Sequence, residues 1–165
     1  MTTGHADHFD TVPETSQALP RRTPVRAPVL RVLPGTPGSA RTARLLTREI
    51  LGADHPATDT AVLLVSELVT NSITHSRSRL PGGTVTVALC AGPAGVLIQV
   101  RDDGGAAEPR LGEPDGPCLD GAEHGYGLVL VAALADTWGT LATAEGRVTW
   151  CRVSGCARAT GAPAG

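Results

Sequence analysis

An α+β two-layer sandwich is the fold class that the sequence predicts, on three observations. Apolar residues recur at helical spacing through two successive segments near residues 39–51 and 58–76, before any long strand pattern begins. Two alternating strand patterns then follow each other across a short turn, at 84–90 and 95–101. A third helix near 127–135 precedes two more strands, at 138–143 and 147–153. Strands joined by short turns favour antiparallel pairing, whereas a doubly wound sheet needs a helix between each strand and the next.

The elements can be justified in order. Residues 1–30 carry Pro13, Pro20, Pro24 and Pro28 with little apolar periodicity, the composition of a disordered or loosely docked tail. Val29–Leu33 is a short edge strand stopped by Pro34-Gly35. Ser39 reads as a cap for the first helix, which ends at Gly52, a favourable residue just past a helix C-terminus. Asp54 or Thr58 caps the second helix, which runs to about Ser76. Thr84–Cys90 alternates Val85, Val87 and Leu89 with polar or small residues, Ala91-Gly92-Pro93 turns the chain, and Gly95–Arg101 returns it. Residues 102–123 are rich in Gly, Pro and acid, a length that fits a functional lid better than a passive connection. Glu145-Gly146 is the turn of the last strand pair, and residues 154–165 form a frayed tail. The body of the fold is thus expected over 31–153, with the lid at about 105–124.

Composition excludes several functions. The 165 residues carry a formal charge of -2, which gives no basic surface for neutralising phosphates, and the aromatics are Phe9, Tyr126, Trp138 and Trp150. Direct nucleic-acid binding is not expected. The chain has no lysine, so a Walker A loop, the ordinary protein-kinase fold and Schiff-base catalysis are all ruled out. Cys90, Cys118, Cys151 and Cys156 have no C-x-x-C spacing that would hold zinc. The polar start MTTGHADHFD is no signal peptide, and no apolar run has membrane-spanning length, so a cytoplasmic protein with reduced thiols is the expectation.

Three motifs carry chemistry. In VSELVTNSITHS, Glu67, Asn71 and His75 are four residues apart and share one stripe of a helix. They are either the wet face of an amphipathic helix or a proton acceptor, a metal ligand and a hydrogen-bonding support. Asp102-Asp103-Gly104-Gly105 ends an apolar strand. It is either a plain Asp-Gly turn or a carboxylate that accepts from an amino group such as a purine's, with glycines that let the ligand approach. His124-Gly125-Tyr126-Gly127-Leu128 stands before a helix, as a hinge or as a phosphate-side turn. A dinucleotide fingerprint would need a third glycine where Leu130 stands, and a preceding strand.

Together, E67-x3-N71-x3-H75, D102-x-G104 and G125-x-G127 resemble the N, G1 and G2 boxes of the GHKL ATPases over roughly Val32–Val153. ELVTNSITHS and GYGLVLVAALADTWG look most like small stand-alone actinobacterial members, similar to the anti-sigma-factor serine kinases of bacterial stress and sporulation switches. The resemblance implies the Bergerat fold, with a mixed, mostly antiparallel sheet and helices on one face. It implies ATP and Mg2+ as cofactors, Glu67 as general base and Asn71 as magnesium ligand. Asp102 then reads the adenine amino group and Gly104 accommodates the base. Gly125 and Gly127 form the phosphate-side turn with the Leu128 backbone, and His75 has a supporting position. The implied partners are a sigma factor and an anti-sigma antagonist, with a homodimer possible in this family. The family's D-x-G-x-G becomes D-x-G-x-A at Ala106, and Arg110 is the one cation of the lid. A serine/threonine kinase is the first reading. A nucleotide-gated binding module or scaffold without phosphotransfer is the alternative.

Overall fold

The computed structural model describes residues 27–93, 95–105 and 127–155. Strand β1 (Val29–Pro34) leads into helices α1 (Gly38–Leu51) and α2 (Thr58–His75), then a 3-10 turn at Arg77–Arg79. Strands β2 (Thr84–Gly92) and β3 (Gly95–Asp102) follow, then α3 (Gly127–Leu134), β4 (Thr137–Thr143) and β5 (Gly146–Ser154). The sheet order is β1-β2-β3-β5-β4, and every neighbouring pair is antiparallel. The expected α+β sandwich is therefore present, with a five-stranded sheet that is antiparallel throughout rather than mixed.

Alternation sorts the strands into two faces. Val85, Val87 and Leu89 of β2 and Val96, Ile98 and Val100 of β3 are buried, as are Cys151 and Val153 of β5. They form one core with the helices, so all three helices cover the same face. The opposite face leaves Leu30 and Val32 of β1 exposed.

Helix α2 is the central element of the helical layer. Ala61, Leu64, Val65, Leu68, Val69 and Ile73 are buried at the spacing of one continuous stripe. Each large member contributes about 2 kcal/mol of apolar burial, which outweighs the weak helix preference of the valines. Against it, α1 turns the small side chains Ala40, Ala43 and Thr47, with the Thr47 hydroxyl folded back onto the Ala43 carbonyl. Arg44 also donates to the Ser66 hydroxyl of α2 at 2.7 Å.

The helix starts differ from expectation. Pro37 already has helical dihedrals, so Ser39 lies inside α1, and its hydroxyl donates to the Pro34 carbonyl instead of capping. Neither Asp54 nor Thr58 caps α2. Ala57 is its N-cap, and the Thr58 hydroxyl donates to the Gly52 carbonyl. His55 satisfies one free donor there: its Nδ1 accepts the Ala57 N–H, while Nε2 faces the Gly92 carbonyl at 2.7 Å. Gly52 ends α1 as expected, at φ 80° with its N–H on the Arg48 carbonyl.

Candidate functional site

The buried stripe of α2 points to the sheet and leaves Glu67 and Asn71 on the side that meets α3. Both are half-buried, whereas His75 is exposed at the end of the helix. Helix α3 begins at Gly127, directly over them. A Cβ on Gly127 would lie 3.0 Å from Glu67 Oε2, 3.1 Å from Asn71 Nδ2 and 3.3 Å from Asn71 Oδ1. A carboxylate and an amide thus meet the start of a helix, at a position where residue 127 carries no side chain. Leu128 follows with its side chain buried in the core. Gly125 and the expected lid beyond Gly105 lie outside the described residues.

Two oxygen-bearing side chains on an open face match the needs of Mg2+, which takes one or two protein oxygens and completes its shell with water and phosphate. Among the described residues no group of three His, Cys, Asp or Glu can hold a metal by itself.

Asp102 is the last residue of β3, on the inner face and buried. Its Oδ1 accepts the Gly104 N–H at 2.8 Å, which turns the chain out of the strand with Gly104 at φ +68°. Burial pushes the Asp102 carboxyl above its ordinary value. The Gly104 N–H, the Ser72 hydroxyl of α2 and the Arg147 guanidinium oppose that rise, and Asp103 adds to it. One carboxylate oxygen is thus committed to the turn, in a site that favours further hydrogen-bond donors.

Asp103 has a different task. Its carboxylate accepts the Thr84 N–H at 2.9 Å, and its own N–H donates to Ser78 Oγ at the same distance. The fully buried Ser78 hydroxyl then donates to the Thr84 carbonyl at 2.6 Å. From the 3-10 turn that follows α2, the Arg77 N–H donates to the Gly104 carbonyl at 2.7 Å and Arg77 Nε to the Asp103 carbonyl at 3.1 Å. These bonds lock the D-D-G elbow to the end of α2, so Asp102 and the Glu67–Asn71 stripe share one frame.

Sequence reasoning did not find Ser72, Ser78, Arg77 or Arg147. Ser72 follows Asn71 but faces the sheet. Ser78 carries no sequence signal, since its partners are 6 and 25 residues away. Arg147 meets Asp102 through the β3–β5 register, across a connection of more than 40 residues. A separate groove of about 460 Å³ lies between the end of β1 and the turn before β2, lined by residues including Val32, Arg79 and Leu80. It holds none of the motif residues.

The family model of the histidine kinase-like ATPase domain matches residues 33–153. A crystal structure of the RsbU and RsbW domains of Rv1364c from Mycobacterium tuberculosis is similar, at 26% identity and a TM-score of 0.52. The likeness covers 77% of this chain and 31% of that one, so this chain spans about a third of its relative's length. No curated protein sequence matches. Among the described residues no helix is long and apolar enough to cross a membrane.

Proposed function

The chain belongs to the histidine kinase-like ATPase domain family, and from that premise we propose that it is a Mg-ATP-binding regulatory protein acting as an anti-sigma-factor serine/threonine kinase. The observation that carries the ATP site is the convergence of Glu67 and Asn71 on Gly127, 3.0–3.3 Å from the position of a Cβ there. Asn71 holds Mg2+ through its amide oxygen, and the metal when bound offsets the charge of the triphosphate. The start of α3, from Gly127 to Leu128, turns its first N–H groups to the phosphates. Asp102 accepts from the adenine amino group with its carboxylate, and Gly104 leaves room for the base. Glu67 orients an attacking serine or threonine hydroxyl of a protein substrate and takes up its proton.

The partners follow from the resemblance of ELVTNSITHS and GYGLVLVAALADTWG to the anti-sigma kinases. The likeness to a chain carrying an RsbW domain supports that reading. The phosphorylated partner is an anti-sigma antagonist and the sequestered one a sigma factor, in the cytoplasm. The test is a capture from native extract with Mg-ATP, followed by transfer of labelled γ-phosphate. Label on a captured protein, reduced about 100-fold or more by Glu67→Gln with ATP binding retained, supports the kinase.

The second reading is a nucleotide-gated module, favoured by a lid sequence with Arg110 as its one cation. In that case no label transfers, and Glu67→Gln captures the same partner in the same ATP-dependent way.

A further inference from the structure

Asp102 and Arg147 are direct partners in the β3–β5 ladder, so their side chains leave the same face of the sheet about 5 Å apart at Cβ. That face is the inner one, where Asp102 is buried between Ser72 of α2 and the β2 residue opposite it, Val85. The β4–β5 turn is held against the same elbow by contacts that leave no slack. A Cβ on Gly146 would collide with the Asp102 carbonyl oxygen, and one on Gly104 would lie 3.3 Å from the Gly146 Cα. Arg101 of β3 also forms an ion pair with Glu145 of the β4–β5 turn. The position of Arg147 relative to Asp102 is therefore fixed by backbone packing, not by a flexible loop.

We infer that Arg147 is a positioning residue for nucleotide recognition: as the ladder partner of Asp102 at the start of β5, it orients the Asp102 carboxyl so that the buried acid faces the amino group of the base as an acceptor. The inference rests on the proposed ATP site and deepens it, since it names a charged residue that acts with the Gly104 N–H and the Ser72 hydroxyl on the buried acid there. An acid in this setting is drawn towards its neutral form by desolvation, and a protonated oxygen would present a donor to another donor. Among the described residues, the charges that act on Asp102 are Arg147 from β5 and Asp103, which follows it in the elbow. Arg77, in the 3-10 turn after α2, approaches Gly104 but spends its Nε on the Asp103 carbonyl. His75 contributes its backbone carbonyl beside Gly105. Of these groups, Arg147 is the cation that directly opposes the effect of burial on the acid.

The experiment is the affinity for Mg-ATP measured calorimetrically from about pH 5.5 to 8.5, with the Asp102 carboxyl carbon titrated by NMR in the nucleotide-free protein. Wild-type affinity is expected to fall on the acid side. In Arg147→Gln the fall and the carboxyl titration both move upward by about one pH unit, and Arg147→Lys returns both toward the wild type. An Arg147→Gln protein that binds more weakly by the same factor at every pH overturns the inference and leaves the ATP site standing. An unmoved carboxyl titration in Arg147→Lys and Arg147→Gln alike overturns it independently of nucleotide. A wild-type chain that binds no ATP, or an Asp102→Asn variant that binds as well as wild type, removes the ATP-site reading and the inference with it.

Discussion

Glu67 and Gly127 meet across the α2–α3 contact so closely that a single methyl group on Gly127 would sit 3.0 Å from the carboxylate oxygen. Gly127→Ala must therefore displace Glu67 and Asn71 by a few tenths of an ångström. It is expected to weaken Mg-ATP binding about tenfold, because small misplacements at such sites cost one to two orders of magnitude. The melting temperature should not fall, since alanine is the better helix former by about 1 kcal/mol. Calorimetry and a thermal melt on the same preparation check both halves. A lower melting temperature with unchanged affinity would assign Gly127 to packing alone.

Asp102 sets function against stability. Its carboxyl sits above the ordinary value because it is buried, so the folded chain holds that proton more tightly than the unfolded one. The stability the proton supplies is full below the unfolded value and is lost as pH rises through the folded value. Asp102→Asn, always neutral, is expected to melt above the wild type at pH 7–8, with the difference closing as the solution is acidified. The same variant should lose ATP. Melting below the wild type at every pH would contradict this.

Ser78 is the hidden joint of the elbow. Ser78→Ala leaves the Thr84 carbonyl and the Asp103 N–H without their partner, at a cost of about 2 kcal/mol in unfolding free energy. Urea denaturation reads it directly. A loss below about 0.5 kcal/mol would mean that other groups satisfy both atoms.

Of the two described cysteines, Cys151 lies in the core with its thiol pushed up to about 12 by burial, while Cys90 is half-buried. Thiolates are the reactive form, so alkylation of the native protein near pH 8 should mark Cys90 well before Cys151. Peptide mass mapping over time checks the order. Equal rates under native conditions would place Cys151 outside the core.

The fold was legible where periodicity is strong. The Val85-Val87-Leu89 alternation and the α2 stripe marked their elements within two residues. Helix starts were harder to read, because Ser39 and Thr58 spend their hydroxyls on tertiary partners, the Pro34 and Gly52 carbonyls. The strand order could not be read either, since β5 inserts between β3 and β4 and local pattern does not encode that order. Of the candidate site, Glu67, Asn71, Asp102, Gly104 and Gly127 stood out because glycine and polar residues are conspicuous where they break an apolar pattern. Arg147 and Ser78 did not, because their meaning comes from partners distant in the chain.

The central claim is that the α2 stripe, the Asp102 elbow and the start of α3 form one Mg-ATP site. Its most direct test is a calorimetric titration of ATP, with and without Mg2+, into the wild type, Asn71→Ala and Asp102→Ala. The account predicts saturable one-to-one binding by the wild type, loss of the magnesium-dependent part in Asn71→Ala, and loss of adenine nucleotide binding altogether in Asp102→Ala. Absence of wild-type binding, or binding that neither substitution alters, would contradict it.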